Sequence, residues 1–376
     1  MIKSPFKYGV TVSKSAFTNR EVESQKLYDN LTHGINTIII SPRRWGKSSL
    51  VEKVCEDIEQ KNPDLRIISI DLFTVSSQQK FFEVFARESL KASSNKLEEW
   101  IEMGKTFFHS LIPKISIGID PTTDFSISFD REEIKKHQDE ILSLPENLAI
   151  KKDLRIVICL DEFQNLSSLK DYENLEKKMR AIWQRQKNVT YCLFGSKRHM
   201  MSDIFNDPSK PFYRFGDIIS LQKIKNEKWT AFILLKFAET GKTISIEDAG
   251  FLAQSMKNHS WYVQQLAHYT WQKTAKNANK ETIREALEEL IAANTPLYQN
   301  ETEQLSRTQL NLLKAVAVGE TKFTSTRVMT DYHLGTPRNV SKNKLILEQK
   351  DIIESGETGF EFLDPAFELW FKKTFL

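Results

Sequence analysis

The apolar positions of the chain change spacing as it proceeds. In the first part, short β-rich runs alternate with amphipathic stretches. Residues 36–40 form one run, and Leu50, Val51, Val54, Cys55 and Ile58 then recur at helical spacing. Residues 65–73 (LRIISIDLF) and 154–160 (LRIVICL) read as strands, the second an unbroken apolar run of the kind found in central parallel strands covered on both faces. Runs at 189–194 and 217–221 bring the expected strands to five. Helices are expected over 76–110, with Phe81, Phe82, Val84 and Phe85 on the apolar side, and over 172–186. Ile115, Ile117 and Ile119 alternate, residues 120–124 turn, and Phe125, Ile127 and Phe129 alternate again, a β-hairpin inserted as decoration near 114–130. An arm, residues 1–17, leads into a first helix. Thr18 and Glu21 have capping-box spacing, Phe17 and Val22 are placed for a hydrophobic staple, and Gly34 is a natural stop.

From Lys225 the strand signals cease. Helices are readable at 226–240, 246–257, 259–275 and 280–294, with Trp229, Phe232, Phe237, Trp261, Tyr262, Leu266 and Trp271 as aromatic and apolar packing positions. After Pro296 come helices 306–318, 325–332 and 337–350, then two short strands, 351–355 and 359–363, around a Gly-Glu-Thr-Gly turn. Three helices and a hairpin are a winged-helix plan, and residues 365–376 read as a docked C-terminal helix. The expected architecture is therefore α/β. A parallel sheet with helices on both faces occupies residues 1–224, a helical lid 225–300 and a winged-helix domain 301–376.

Composition changes this picture little. The chain has 376 residues, 40% hydrophobic and 27% charged, with a net charge of +3 that neither demands nor excludes nucleic acid. Cys55, Cys159 and Cys192 lie inside apolar patterns without metal-ligand spacing, as reduced core thiols do. No apolar run approaches the roughly 20 residues a membrane helix needs. The expectation is a cytoplasmic protein with no membrane association.

The first strand and the helix after it are joined by SPRRWGKS, residues 41–48. Strand, tight loop and helix N-terminus are the context in which G-x-x-x-x-G-K-[ST] cradles a polyphosphate. Backbone N–H groups and the helix dipole face the anion, Lys47 adds a point charge and Ser48 offers a hydroxyl to Mg²⁺. The first glycine of that motif is Ser41 here, and serine suits the turn only where φ stays negative or strain is tolerated. At the carboxyl end of the run 154–160 stand Asp161 and Glu162, on the edge where open α/β sheets bind ligands. Asp161 is expected to hold Mg²⁺ through its water shell, and Glu162 to orient and deprotonate an attacking water. Ser196 follows the run 189–194 and is the candidate polar group for the γ-phosphate, with Lys197 or Arg198 adding charge; a plain strand-to-helix turn is the alternative. Arg214 is a candidate for an arginine supplied in cis or to a neighbour, with a solvated loop arginine as the alternative.

In this order the chain resembles the prokaryotic AAA+/STAND group of P-loop ATPases, the archaeal-type ATPase family. The resemblance runs over essentially the whole chain and rests on five segments. They are Phe17-x-x-Arg20-Glu21-x-Glu23, Ser41-Pro42-Arg43-Arg44-Trp45-Gly46-Lys47-Ser48-Ser49-Leu50, Leu160-Asp161-Glu162-Phe163-Gln164, Gly195-Ser196 and the terminal Asp364-Pro-Ala-Phe-Glu-Leu-Trp370. It implies that Phe17 and Arg20 lie over the adenine, that residues 41–49 bind ATP, and that Ser196 is a sensor on a strand between the other two. In relatives a Gly-x-Pro element of the lid reaches the nucleotide; the corresponding stretch here, residues 258–262 (NHSWY), contains neither residue.

The function expected from this reading is an ATP-binding, ATP-hydrolysing regulatory switch using Mg²⁺, in which hydrolysis to ADP moves the lid and winged helix. The alternative is an ATP-regulated DNA-binding protein acting through Arg338, Lys342 and Lys344 on helix 337–350, which also carries Asn339, Ser341 and Glu348. A protein partner or self-association is a further expectation, and the winged helix serves protein packing or intramolecular inhibition in the remaining alternative.

Overall fold

The computed structural model describes residues 3–10, 19–94, 96–108, 114–116, 126–356 and 359–376. Contacts divide them into two units. A sheet unit holds Arg20–Arg43 and Lys47–Gln222; a helical unit holds residues 3–10 and 19, Arg44–Gly46 and Lys223–Leu376.

The sheet unit begins with α1 (Glu21–Thr32), β1 (Thr37–Ile40), α2 (Lys47–Lys61) and β2 (Leu65–Asp71). It continues through α3 (Gln78–Ser93), α4 (Leu97–Phe107), β3 (Lys114–Ser116), β4 (Ser126–Ser128) and α5 (Arg131–Lys152). Then come β5 (Arg155–Asp161), a 3-10 turn (Phe163–Ser168), α6 (Tyr172–Trp183), β6 (Val189–Gly195), α7 (Arg198–Asn206) and β7 (Asp217–Ser220). The five long strands form one parallel sheet in the order β2-β5-β6-β1-β7. Ile40 pairs with Gly195, and Leu160 with Leu193, so the ends of β1, β6 and β5 reach one edge. The middle five residues of β5 are buried, as an unbroken apolar run between two helical layers requires. The core of this unit runs from Ile38 and Ile68 through the Phe81, Phe82 and Phe85 cluster to Trp183 and Phe212.

Local differences from the sequence reading have identifiable causes. α1 is N-capped by Arg20 in a left-handed conformation (φ 74°) without a side-chain cap bond, and Val22 is exposed. Phe17 and Thr18 lie outside the described residues. The helix expected over 76–110 is two helices, because Ser94 is extended (φ −164°, ψ 159°). β3 and β4 pair antiparallel with Ile115 opposite Ile127, while Ile117, Ile119, the turn at 120–124 and Phe125 lie outside the described residues. α5 carries Pro145 and a non-helical His137, which blur the periodicity that would have announced it.

The helical unit contains α8 (Asn226–Ala238), β8 (Thr243–Ile244), α9 (Ile246–Ser255), α10 (Ser260–Lys273), β9 (Asn277–Ala278) and α11 (Lys280–Glu303). It ends with α12 (Arg307–Ala317), α13 (Thr326–Asp331), α14 (Pro337–Gln349), β10 (Ile353–Ser355), β11 (Phe360–Phe362) and α15 (Pro365–Phe375). The three helices and antiparallel β10–β11 pair are the expected winged helix. β8 and β9 pair in parallel over two residues, too few to show a period, so strands are not absent from this stretch as the sequence suggested. α11 runs through Pro296 rather than stopping before it. The sequence reading placed the N-terminal arm with the first 224 residues. In the structure the Phe6 ring meets Phe232 and Phe237, and Tyr8 meets Trp261 edge-on. No helix among the described residues is long and apolar enough to cross a membrane.

Candidate functional site

The first element of the site is the junction of β1 and α2. All four residues of β1, Thr37 and three isoleucines, are buried, and Ser41 behind them is 1% exposed. Ser41 keeps a negative φ, and its hydroxyl donates to the Pro42 carbonyl; the left-handed steps of the loop fall on Arg44 (φ 67°) and Gly46 (φ 90°). Serine therefore replaces the motif's first glycine without backbone strain, while Gly46 takes a conformation glycine adopts freely. α2 opens at Lys47, with Ser48 and the buried Ser49 in its first turn.

The second element is the end of β5. Lys47 Nζ lies 3.6 Å from Asp161 Oδ1 and 3.7 Å from Glu162 Oε1, and is itself only 7% exposed. Ser48 Oγ donates to Asp161 Oδ2 at 3.0 Å. Glu162 is left-handed (φ 52°), and its backbone N–H donates to Asp161 Oδ1 at 2.7 Å. A non-glycine residue held there stores strain of a kind that collects at functional sites.

The third element is the end of β6, which lies between β1 and β5. Ser196 Oγ donates to Glu162 Oε2 at 2.8 Å and accepts from Arg43 Nε at 3.2 Å. Residues from three strand ends thus converge: Arg43, Lys47 and Ser48 after β1, Asp161 and Glu162 from β5, and Ser196 from β6. Sequence reasoning missed one further participant. The Gln164 amide also donates to Glu162 Oε2, from a side chain that is fully buried. Gly195 makes room for it, since a Cβ there would lie 1.9 Å from Gln164 Oε1. The signal available in the sequence was the spacing Glu162-x-Gln164 directly after an apolar strand.

The two adjacent carboxylates are shifted in opposite directions. Burial pushes Asp161 above its ordinary value, against the opposing charge of Lys47. Burial acts on Glu162 in the same sense, but Lys47 and hydrogen bonds from Gln164 and Ser196 outweigh it and hold that carboxyl below its ordinary value. Ser48 and Asp161 offer two hard oxygen donors in contact with each other, a set that suits Mg²⁺ completed by water and phosphate oxygens. Among the described residues no cluster of three or more His, Cys, Asp or Glu side chains could hold a metal unaided.

Other expected residues are engaged elsewhere. Arg44 Nη1 donates to the Tyr262 hydroxyl at 3.1 Å, and its guanidinium lies 4.8 Å over the Trp261 ring. Trp45 meets His259 edge-on, and Lys223 lies over the Trp45 ring. His259 is buried; desolvation, then the charges of Arg44 and Lys223, push its imidazole down to about 3, so it stays neutral. Tyr262 donates to Asp364, which also caps α15 through the N–H groups of Ala366 and Phe367. Arg20 is buried and pairs with Glu23 at 2.8 Å, its Nη2 lacking a partner. Lys197 is half-buried, and the exposed Arg214 lies over the ring of Tyr213. On α14, Arg338 and Lys342 are exposed, but Lys344 covers the Phe360 ring at 4.0 Å and the Phe323 ring at 5.6 Å.

A family model described as a probable winged helix domain matches residues 296–373. Among curated proteins, none matches the chain by sequence. Among solved structures, a Walker-type ATPase of Pyrococcus abyssi is similar with a TM-score of 0.69 at 16% identity, covering 98% of this chain and 99% of that one. The ORC2 protein of Aeropyrum pernix is similar with a TM-score of 0.55 at 15% identity, covering 98% of each chain. The ORC1 protein of Aeropyrum pernix, solved in complex with DNA, reaches 0.51 at 12% identity, covering 99% of this chain and 98% of that one. At these identities the likeness concerns the fold: a P-loop ATPase sheet with helices on both faces, and a C-terminal winged helix.

Proposed function

We propose that the chain is an ATP-binding, Mg²⁺-dependent ATPase of the AAA+/STAND kind that works as a regulatory switch. One observation carries the reading. Lys47, Ser48, Asp161, Glu162 and Ser196, spread over 150 residues of sequence, meet at one sheet edge through contacts of 2.8–3.7 Å. In this reading the N–H groups of the loop and α2 bind the phosphates, and Lys47 turns from the two carboxylates toward them. Ser48, and Asp161 through water, would hold Mg²⁺, which would supply charge neutralisation to the phosphates. Glu162 accepts the proton of the attacking water as its oxygen bonds to the γ-phosphorus and the bond to the ADP oxygen breaks. Ser196 spends its one hydroxyl proton on Glu162 and so orients that carboxylate toward the water. Such chemistry is mostly positioning and charge stabilisation, which a preformed cluster supplies.

The switch reading is supported by Arg44, which within its own unit is bonded to Tyr262, while Tyr262 is bonded to the cap of α15. The domain division proposed is a core over 1–224, a lid over 225–300 and a winged helix over 301–376, in a cytoplasmic protein. The exposed Arg338 and Lys342 on α14 favour a second reading, ATP-regulated DNA binding, in keeping with the DNA complex of the ORC1 protein.

Nucleotide binding and phosphate release by purified variants test the first reading. Lys47→Ala is expected to abolish binding of a fluorescent ATP analogue. Glu162→Gln is expected to retain binding and lose turnover. Undiminished binding by the first variant, or turnover at the parental rate by the second, overturns the assignment.

A further inference from the structure

Arg44, in the loop between β1 and α2, takes a left-handed backbone step (φ 67°) without being glycine. A step of that kind persists only where surrounding contacts over-determine it. Here those contacts are made by the side chain. Arg44 Nη1 donates to the Tyr262 hydroxyl at 3.1 Å, and the guanidinium lies 4.8 Å over the Trp261 ring. Both aromatic residues stand in the first turn of α10, and all three residues belong to the helical unit.

Tyr262 is in turn fixed. It is 3% exposed, and its hydroxyl, while accepting from Arg44, donates to Asp364 Oδ2. Asp364 Oδ1 accepts the N–H groups of Ala366 at 2.9 Å and Phe367 at 2.8 Å, at the start of α15. The hydroxyl has one proton and the carboxylate two oxygens, so the contacts run in a single direction from the α15 backbone to Arg44. Tyr298, fully buried against Phe367 and Trp370 of α15, lies beside Tyr262. Asp364, Phe367 and Trp370 fall within the segment matched as a winged helix domain.

We propose that Tyr262 and Asp364 are positioning residues for the phosphate loop, fixing the left-handed step at Arg44 so that the cap of α15 sets nucleotide affinity. The inference rests on the reading of residues 41–48 as the phosphate-binding loop, and it gives that loop a control point in the winged helix. Arg44 is an anchor in this arrangement. Its guanidinium is committed to Tyr262 and Trp261, and the phosphates are left to the N–H groups at the start of α2 and to Lys47. A movement of α15 that withdraws Asp364 frees Tyr262 and loosens the loop.

The test uses the full chain and two readouts. The first needs no nucleotide: amide hydrogen exchange in a proteolytic peptide covering residues 41–49. Tyr262→Phe keeps the ring and removes the hydroxyl. Asp364→Asn keeps a side chain that caps helices well, but has one acceptor oxygen where the carboxylate had two. Each is expected to raise exchange in that peptide about tenfold and to leave peptides of β5 and β6 unchanged, a local effect that general destabilisation does not give. Arg44→Ala, at an exposed position, should do the same and keeps the test open where a buried variant does not fold. The second readout is affinity for a fluorescent ATP analogue, which should fall about three- to tenfold in Tyr262→Phe and in Asp364→Asn. Arg44→Ala combined with Tyr262→Phe should bind no more weakly than Arg44→Ala alone, because the hydroxyl acts through Arg44. Unchanged exchange over 41–49 in the folded variants, unchanged affinity in Tyr262→Phe, or losses that multiply in the double variant overturns the proposal. Failure of the parental chain to bind the analogue overturns the ATPase reading instead, and the exchange result still decides whether Tyr262 and Asp364 fix the loop.

Discussion

Ser196 donates its hydroxyl to Glu162 at 2.8 Å across 34 residues of sequence, linking the end of β6 to the end of β5. The bond orients the carboxylate and helps hold its pKa down. Ser196→Ala is therefore expected to lower turnover about 10- to 100-fold while changing ATP affinity little. Removing a donor to the ionised form raises the pKa of Glu162, so the acid limb of the pH–rate profile should move to higher pH. A variant with reduced turnover and an unmoved acid limb would show that Ser196 acts on the phosphate and not on Glu162.

Gly195 holds the same cluster together sterically. A Cβ there would lie 1.9 Å from Gln164 Oε1 and 2.8 Å from Met201 Sδ, and Gln164 is fully buried with nowhere to retreat. Gly195→Ala should destabilise the protein by about 1–3 kcal/mol, as overpacking does, and should also displace Gln164 from Glu162. Chemical denaturation and phosphate release measure the two effects. Full stability with full turnover would show that Gln164 has an alternative rotamer and a minor role.

These contacts mark how far the sequence could be read. β1, the loop and α2 were legible because apolar spacing switches from a strand run to a helical repeat around Gly46-Lys47-Ser48. The place of β6 between β1 and β5 follows from no local pattern; it came from the family resemblance, and the parallel register bears it out. Whether Ser41 would be strained depended on which residue takes positive φ, and the loop assigns that to Arg44 and Gly46. Gln164 stood at a legible spacing from Glu162, but its contact there depends on a left-handed Glu162 followed by a 3-10 turn, a conformation without a repeating signature. Pro296 was read as a boundary because proline interrupts the helical ladder, yet α11 continues past it.

Asp161 presents the opposite case to Glu162. Its carboxyl is raised by burial, so the folded protein binds that proton more tightly than the unfolded chain does. Above both pKa values the ionised group opposes folding; the contribution is favourable below the unfolded value and is lost as pH rises through the folded one. Asp161→Asn should consequently raise the melting temperature of the nucleotide-free protein at pH 7.5 by about 1–3 °C, with the gain vanishing near pH 4. The same variant should lose Mg²⁺-dependent tightening of nucleotide binding, a stability-for-activity exchange common at active sites. A melting temperature lowered at pH 7.5 would mean that the pairing with Lys47 and Ser48 outweighs burial.

The three basic residues of α14 are not equivalent, and the second functional reading can be tested on that difference. Arg338 and Lys342 are exposed, whereas Lys344 lies over the Phe360 and Phe323 rings and burial lowers its pKa. An ammonium over an aromatic face contributes about 0.5–2 kcal/mol, so Lys344 belongs to the packing between α14 and the β10–β11 wing. Duplex titrations over a range of salt concentrations should show Arg338→Ala and Lys342→Ala each reducing the log–log salt slope by about 1. Lys344→Ala should leave the slope unchanged and lower the melting temperature instead. A slope reduced equally by all three variants would place Lys344 among the phosphate contacts, and a duplex affinity indifferent to salt would remove DNA from the account of this winged helix.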